Sequence, residues 1–213
     1  MARRSLRKID PALDLSRHLI SIEQLPQPWD AAALFQRSAP LEIEIGSGKG
    51  LFLTSSAAQH PGHNFLGMEI ADKYARFCAA RLAKRELNNA RMINADAQRV
   101  LAEFLPDRSA IAVHVYFPDP WWKKRHKKRR VMNERSLHQI QRILEPGGTL
   151  HFWTDVQEYF HSALELIAAH TQLRGPLEVA EPVSQHDLDF RTHFERRMRL
   201  HGQAVYRAEF CKP

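Results

Sequence analysis

The sequence predicts an α/β protein built on a doubly wound, mostly parallel sheet. Short apolar runs rich in β-forming residues alternate along the chain with segments of helical periodicity, the pattern of repeated β–α units. At 213 residues the chain can form one large domain, and an apolar fraction of 44% is enough for a sizeable core. No internal repeat or low-complexity linker interrupts this order.

The β–α units can be placed from local patterns. Strands are predicted at residues 41–45, 64–69, 91–94, 110–117 and 149–154. Helices are predicted at residues 51–59, 72–87, 97–104 and 133–144, with Pro146-Gly147-Gly148 ending the last of them. A fifth helix follows residue 155, where apolar residues repeat at spacings of three and four. Residues 177–180 and 204–210 are predicted as two further strands, separated by a polar, charged stretch at 181–199.

The net charge of +7 is concentrated in two short segments. Residues 123–130 carry seven Lys or Arg, so the remainder of the chain is neutral overall. Arg3, Arg4, Arg7 and Lys8 form a second basic segment, which leaves a mildly acidic body. Concentrated positive charge favours a polyphosphate partner, because each neutralised phosphate releases condensed counterions. A merely solvated charge run is the alternative for either segment.

Cysteine usage and hydropathy indicate a cytoplasmic protein. Cys78 and Cys211 form no CxxC pair, and the basic start is not followed by an apolar signal segment. No run of about 18 apolar residues occurs, so no membrane partner is expected. The twelve histidines are scattered without an HExxH motif, and no metal is predicted.

The first predicted strand runs into a glycine turn, EIGSGKG at residues 44–50. Glycines allow a sharp turn and the close approach of a ligand to the backbone, which indicates Gly46 and Gly48 as contacts to a nucleotide-type ligand. A dinucleotide fingerprint needs a third glycine where Leu51 stands, and a P-loop needs Ser or Thr where Gly50 stands. A dehydrogenase and an ATPase are therefore disfavoured, and a tight turn without a ligand is the remaining alternative.

Three acidic residues lie at the ends of successive predicted strands, namely Glu44, Glu69 and Asp96. Ligands of doubly wound sheets bind outside the carboxyl ends of the strands, so these side chains would converge on one crevice. Glu69 is placed to accept hydrogen bonds from ribose hydroxyls, and Asp96 lies toward the adenine side. Each alone could be a surface residue, and Asp96 could cap the following helix. Together they resemble a site for S-adenosylmethionine.

The fourth predicted strand leads into YFPDPWW at residues 116–122 and then directly into the basic segment. Two prolines fix φ on either side of Asp119 and would hold its carboxylate rigidly at the edge of the crevice. Trp121 and Trp122 could stack an unpaired base while the cations hold its phosphates. Ordinary core packing is the alternative for each tryptophan.

From about residue 41 to the C-terminus the sequence resembles the bacterial tRNA (guanine-N7)-methyltransferase family. The resemblance is carried by EIGSGKG, GMEI, NADA, FPDPWWKKRHKKRR, GGTLHFWTD and the late Thr192-His193-Phe194-Glu195. It implies a class I methyltransferase (Rossmann-like) fold: a seven-stranded sheet, mostly parallel with an antiparallel C-terminal strand. That domain would occupy residues 39–213, after a basic N-terminal arm and lead-in segment at residues 1–38.

The resemblance also implies S-adenosylmethionine as cofactor and tRNA as partner, with methylation at N7 of guanine 46 in the variable loop. It assigns Glu44, Glu69, Asp96 and Asp119 to the cofactor, and Asp119 to catalysis as well. It assigns to the tRNA substrate Lys123, Asp155, Thr192, His193, Phe194 and Glu195. It assigns to RNA contact Arg125, His126, Lys127, Lys128, Arg129 and Arg130. Relatives act as monomers or homodimers, so the oligomeric state stays open.

Methyl transfer to guanine N7 requires no general base, because this nitrogen already has an available lone pair. We therefore expect positioning to dominate, with Asp119 accepting from N1–H and the exocyclic amine of guanine while Lys123 holds a phosphate. Two alternatives remain: a non-catalytic RNA-binding protein that keeps a methyltransferase-like fold, and a methyltransferase that acts on another RNA or on a protein. Cofactor binding separates the first alternative from an enzyme.

Overall fold

A computed structural model of the chain describes residues 6–179 and 192–213 and contains a single eight-stranded sheet. Its elements are, in chain order, β1 (Leu19–Ile20), α1 (Ala31–Phe35), β2 (Leu41–Ile45), α2 (Leu51–Gln59), β3 (Asn64–Glu69), α3 (Asp72–Lys84), β4 (Ala90–Asn94), α4 (Ala97–Glu103), β5 (Ala110–Tyr116), α5 (Glu134–Ile143), β6 (Leu144–Thr154), α6 (Gln157–His170), β7 (Arg174–Leu177), α7 (His193–Leu200) and β8 (Tyr206–Cys211).

The strand order is β1-β4-β3-β2-β5-β6-β8-β7. Strands β1 to β6 pair in parallel, and β8 runs antiparallel between β6 and β7. The predicted fold class, a mostly parallel sheet with an antiparallel C-terminal strand, is therefore confirmed. The two-residue β1 adds an eighth strand at one edge. The order of the strands reverses between β2 and β5, and doubly wound sheets bind ligands at such a switch point.

Helices cover both faces of the sheet, as the sequence predicts. The larger apolar cluster lies where α4, α5 and α6 pack on the central strands, and the smaller one lies beneath α2 and α3. Ile20 of β1 and Phe35 of α1 are buried in the larger cluster, so described residues of the lead-in segment contribute to the core. The boundary between residues 38 and 39 stays a prediction. None of the described helices is long and apolar enough to span a membrane.

Strand β6 starts earlier than the sequence predicts. The Pro146-Gly147-Gly148 segment, predicted to end a helix, instead lies inside β6, which begins at Leu144. Gly147 adopts a left-handed backbone with φ of +79°, and the pairing of β5 with β6 shifts register at the same level, between Ala110 and Ala112. The Gly147 N–H donates to the carbonyl of Lys212 at 2.9 Å, which extends the sheet past the irregularity.

The prediction of a strand at residues 177–180 is wrong in its bounds. Strand β7 ends at Leu177, and residue 180 lies outside the described residues. Strand β7 is an edge strand paired with β8, so Pro176 can lie within it without costing a ladder bond. Strand β8 was predicted at 204–210 and begins two residues later.

Helix α7 lies inside the stretch that the sequence describes only as polar and charged. The Glu195 N–H donates to the Thr192 side-chain oxygen at 3.0 Å, so Thr192 caps the helix. This Thr-x-x-Glu spacing is a known helix-start signal and was visible in the sequence. Met198 is buried one turn after Phe194, which gives the helix its apolar side.

Candidate functional site

The turn after β2 is left-handed at all three of its glycines. Gly46, Gly48 and Gly50 have φ of +78°, +53° and +68°, a region that side chains other than glycine rarely adopt. The N–H groups of Gly46 and Ser47 donate to the carbonyl of Met68 at 2.9 and 3.0 Å, so the turn is tied to the end of β3. A Cβ added at Gly46 or Gly48 would meet no described atom within 4 Å. The backbone there faces open space, as ligand approach requires.

Gly50 serves the packing of the turn. A Cβ at this position would lie 2.0 Å from Sγ of Cys78, a buried residue of α3. The turn therefore rests directly on α3, and glycine is required for this close approach.

The carboxylate of Glu69 is fixed by two backbone donors. Its Oε2 accepts from the N–H of Gly48, and its Oε1 accepts from the N–H of Ala71, both at 2.9 Å. A carboxylate offers about four acceptor positions, so it can still accept two further hydrogen bonds. Asn94 donates to the carbonyls of Glu69 and Ile70 at 2.9 and 3.2 Å and so holds the segment in place. Sequence reasoning missed Asn94 as a support and Ile70, which is 73% exposed beside the turn.

Glu44 is buried beneath the turn. It is 3% exposed, and its Oε2 has no hydrogen-bond partner among the residues that the structure describes. Burial raises the pKa of Glu44 to about 8, against the opposing effect of Ser47, and the negative charge of Glu69 adds to the rise. At neutral pH the carboxyl therefore keeps its proton unless a cation is brought to it.

Glu42, two residues earlier on the same strand, has the opposite environment. His63 Nδ1 and His114 Nε2 lie 2.6 and 2.7 Å from its two carboxylate oxygens. Burial acts to raise the pKa of Glu42, but the hydrogen bonds and charges of His114 and His63 outweigh it and lower the pKa to about 2. Burial acts to raise the pKa of both carboxyls. The pKa of Glu42 falls because two histidines contact it, and the pKa of Glu44 rises because no histidine offsets its burial.

Asp96 is exposed and caps α4. Its Oδ1 accepts from the N–H of Gln98 at 2.9 Å. The sequence left a cap and a ligand contact open for this residue, and the cap is present. A contact to the cofactor stays a prediction for Asp96.

The loop after β5 carries Asp119 between two strained residues. Phe117 and Trp121 have φ of +49° and +45°, and for bulky side chains such backbone costs about 1–3 kcal/mol each. The Phe117 N–H donates to the carbonyl of Trp153 at 2.8 Å, and its ring lies 5.0 Å from that of Phe194. The contacts of Phe117 thus fix the backbone where the Pro118-Asp119-Pro120 segment begins. Asp119 itself is exposed.

Arg130 braces the same loop from its far end. Its Nε donates to the carbonyl of Pro120 at 2.8 Å, and its guanidinium lies 4.5 Å from the ring centroid of Tyr159. Burial raises the pKa of Tyr159 to about 12, with Met132 and Arg130 opposing the rise and the charge of Asp119 adding to it. Arg130 is buried, whereas Lys123, Arg125 and Arg129 are exposed.

The basic segment continues from this loop as a 3₁₀ helix at Lys124–Arg129. The ring of Trp121 lies 5.8 Å from that of His126 and 5.2 Å from the Arg129 guanidinium. These contacts place His126 and Arg129 next to the strained turn. The side chains of Lys127, Lys128 and His193 lie outside the described part of the structure.

A cavity of about 820 Å³ opens beside the loop. It brings together Asp155 at the end of β6, Phe194 of α7 and Trp122, which is 63% exposed. Met198, His201 and Gln203 also line it. Two of the predicted substrate residues, Asp155 and Phe194, thus line the same cavity. Trp122 adds an aromatic side chain to its lining, which the sequence alone could not predict.

The other predicted substrate residues lie in different surroundings. The side chain of Glu195 is 1% exposed and forms ion pairs with Arg199 and Arg207, each at 3.6 Å. Thr192 caps α7, and the carbonyl of Lys123 accepts from the N–H of His126 at 2.7 Å. A direct contact of Lys123, Thr192 or Glu195 with the substrate stays a prediction.

Strand register brings these parts to one edge of the sheet. Ile45 of β2 pairs with Met68 of β3 on one side and with Val115 of β5 on the other. The glycine turn, Glu69 and the Asp119 loop therefore leave the sheet at the same level from three adjacent strands.

The mostly parallel sheet and the glycine turn after its first central strand are those of a Rossmann-like fold, and the family model identifies the class as methyltransferase. Residues 38–208 match the model of a protein family described as "Putative methyltransferase". A solved SAM-dependent methyltransferase from Aquifex aeolicus shares the fold, with a TM-score of 0.56 and 10% identity over 82% of this chain and 82% of that chain.

Relatives of higher sequence identity show which methyltransferase family this is. A Rhodopirellula baltica protein named tRNA (guanine-N(7)-)-methyltransferase is 50% identical over 218 residues, covering 100% of this chain and 80% of the relative. A Yersinia enterocolitica protein of the same name is 37% identical over 195 residues, covering 92% of this chain and 82% of the relative. The chain belongs to the tRNA (guanine-N7)-methyltransferase family.

Glu44 is expected to make the protein less stable as the pH rises from about 4.5 to about 8. In that interval the folded chain keeps a proton that the unfolded chain has released, so the free energy of unfolding falls by up to about 1.4 kcal/mol per pH unit. Above the raised pKa this contribution is constant. Glu44→Gln cannot titrate, so urea unfolding at several pH values should give a flatter profile than the wild type.

The matched control is Glu165→Gln, which removes an exposed carboxyl of α6. This variant should keep the wild-type slope. Equal slopes for the wild type and Glu44→Gln would contradict a protonated Glu44.

Proposed function

We propose that this protein transfers the methyl group of S-adenosylmethionine to N7 of a guanine in tRNA. The observation that carries the proposal is the exposed Asp119 carboxylate, held on a strained turn next to the glycine turn and followed at once by exposed cations. The printed names of the relatives support the same activity. With tRNA as substrate, the protein would act in the bacterial cytoplasm.

The residues around the glycine turn fit S-adenosylmethionine. The buried, unpartnered oxygen of Glu44 suits a cationic ammonium group such as that of the methionine moiety. Glu69 keeps acceptor capacity for two ribose hydroxyls, and the exposed Ile70 offers an apolar surface for adenine. The Asp96 carboxylate would accept a hydrogen bond at the adenine end of the cofactor. When bound, the cofactor supplies a methyl group made electrophilic by its positively charged sulfur.

Asp119 would orient the guanine. Its two carboxylate oxygens match the paired donors of guanine, N1–H and the exocyclic amine, which leaves N7 free. No protein base is required, because N7 has a lone pair in neutral guanine. The contribution of the protein is then alignment, which can supply about 7–11 kcal/mol in well-oriented cases.

The cavity beside the loop would receive the nucleotide. Its volume of about 820 Å³ lies within the range of small-molecule sites, and Trp122 and Phe194 supply aromatic surface for base stacking. Asp155 adds a carboxylate at its wall. The exposed Lys123, Arg125 and Arg129 would hold phosphates of the tRNA.

The proposal is tested by incubating the protein with methyl-labelled S-adenosylmethionine and tRNA that lacks the modification, followed by nucleoside analysis. Label in 7-methylguanosine is the expected result. Label in another nucleoside or in protein would identify a different methyltransferase. Binding of tRNA without any binding of S-adenosylmethionine would identify a non-catalytic RNA-binding protein.

Asp119→Ala is expected to lower turnover by at least about a hundredfold, because the two hydrogen bonds that guanine donates to the charged carboxylate are lost. Cofactor binding should weaken but remain measurable by equilibrium titration. The matched control, Asp107→Ala, removes an exposed carboxylate that pairs with Arg142 and should leave turnover unchanged. Wild-type turnover in Asp119→Ala would refute the orienting role.

Arg125→Ala combined with Arg129→Ala is expected to weaken tRNA binding and flatten its salt dependence. Two lost phosphate contacts should reduce the slope of log K against log salt by about 1 to 2. The control pair is Lys84→Ala with Arg85→Ala, two exposed cations at the end of α3. An unchanged slope in the Arg125 and Arg129 double variant would mean that the segment is only solvated charge.

A further inference from the structure

Helices α5 and α6 hold a cluster of potential metal ligands that the methyl-transfer site does not use. Glu134, His138 and His170 each offer one ligand atom, and these three atoms all lie within 4.8 Å of one another. His170 Nδ1 is 3.6 Å from Glu134 Oε1, and the rings of His138 and His170 are 6.2 Å apart between centroids. We propose that these three side chains bind a divalent zinc ion.

The spacing on the helix brings two of the ligands together. Glu134 and His138 are four residues apart on α5, so their side chains lie one above the other on one face. His170 comes from the last turn of α6 and completes the set from the neighbouring helix. Because the third ligand is 32 residues further along the chain, a search for short metal motifs in the sequence could not find the set.

The donor set selects the type of ion. Two imidazoles and one carboxylate suit zinc and its neighbours among the transition metals, whereas magnesium and calcium prefer oxygen ligands alone. Zinc bonds of about 2.0–2.2 Å place tetrahedral ligand atoms roughly 3.3 Å apart. Glu134 and His138 are exposed, so small side-chain rotations can close the remaining distance. Water can complete the fourth position at the surface.

The consequence of such a site would be a clamp between two helices. The basic segment ends at Arg130, and α5 begins four residues later at Glu134, the first ligand. Tyr159 at the start of α6 already contacts Arg130. A bound ion would fix α5 against α6 directly behind the segment that we propose to hold tRNA. The ion would be structural, since none of its ligands belongs to the glycine turn, the Asp119 loop or the cavity.

The test is a titration of the full-length protein with ZnCl2 after treatment with a chelator and dialysis. Calorimetry should give one zinc per chain at this site, and at a hundredfold excess over Kd the melting temperature should rise by about 5–10 °C. His138→Ala and His170→Ala should each weaken this binding at least about tenfold and remove the thermal shift. MgCl2 should have no comparable effect.

His161→Ala is the matched control, since it removes an exposed histidine of α6 that lies outside the cluster. It should bind zinc like the wild type. The metal-free melting temperatures of all three variants should match the wild type, because only exposed or half-exposed side chains change. Absence of zinc binding by the wild type would overturn the proposal, and so would undiminished binding by both His138→Ala and His170→Ala.

Discussion

The parallel pairing of β2 with β3 and β5 is the constraint on which the site depends. Ile45 stands level with Met68 and Val115, so three chain segments leave the sheet at one edge. Slipping β2 by one residue would turn Glu44 toward the opposite face and bring Ile45 under the turn. The buried row of Ile43 and Ile45 against α4, α5 and α6 opposes this slip. The hydrophobic core therefore sets the position of the polar groups as well as the stability.

Two neighbouring carboxyls on β2 show how the same strand can support different chemistry. Glu42 is ionised by the two histidines that contact it, whereas Glu44 lies under the glycine turn with an unsatisfied oxygen. A fold gains little from leaving a buried acceptor unpaired, and such groups are concentrated where a ligand completes them. The unpaired oxygen of Glu44 and the open space beside Gly46 and Gly48 both leave room for a ligand at the same turn.

The sequence predicted the parts that local patterns determine. Strands at 41–45 and 64–69 and the helix at 51–59 occur with the predicted bounds, because burial periodicity and glycine signals are local. It also predicted which strand ends carry the acidic residues. It could not predict the environments of Arg130 and Glu195, which are buried by contacts with Tyr159 and Arg207 from distant segments. It missed α7, whose capping signal is brief and whose apolar side is interrupted by charges.

The basic segment contains both exposed cations and a cation that supports the fold, although its composition suggests only the first role. Arg125 and Arg129 are exposed, but Arg130 is buried between the carbonyl of Pro120 and the ring of Tyr159. Neutralising the whole segment at once would therefore deform the Asp119 turn as well as remove its attraction for RNA. A loss of activity in such a variant would not distinguish the two effects, because a deformed Asp119 turn and weaker RNA binding would both lower turnover.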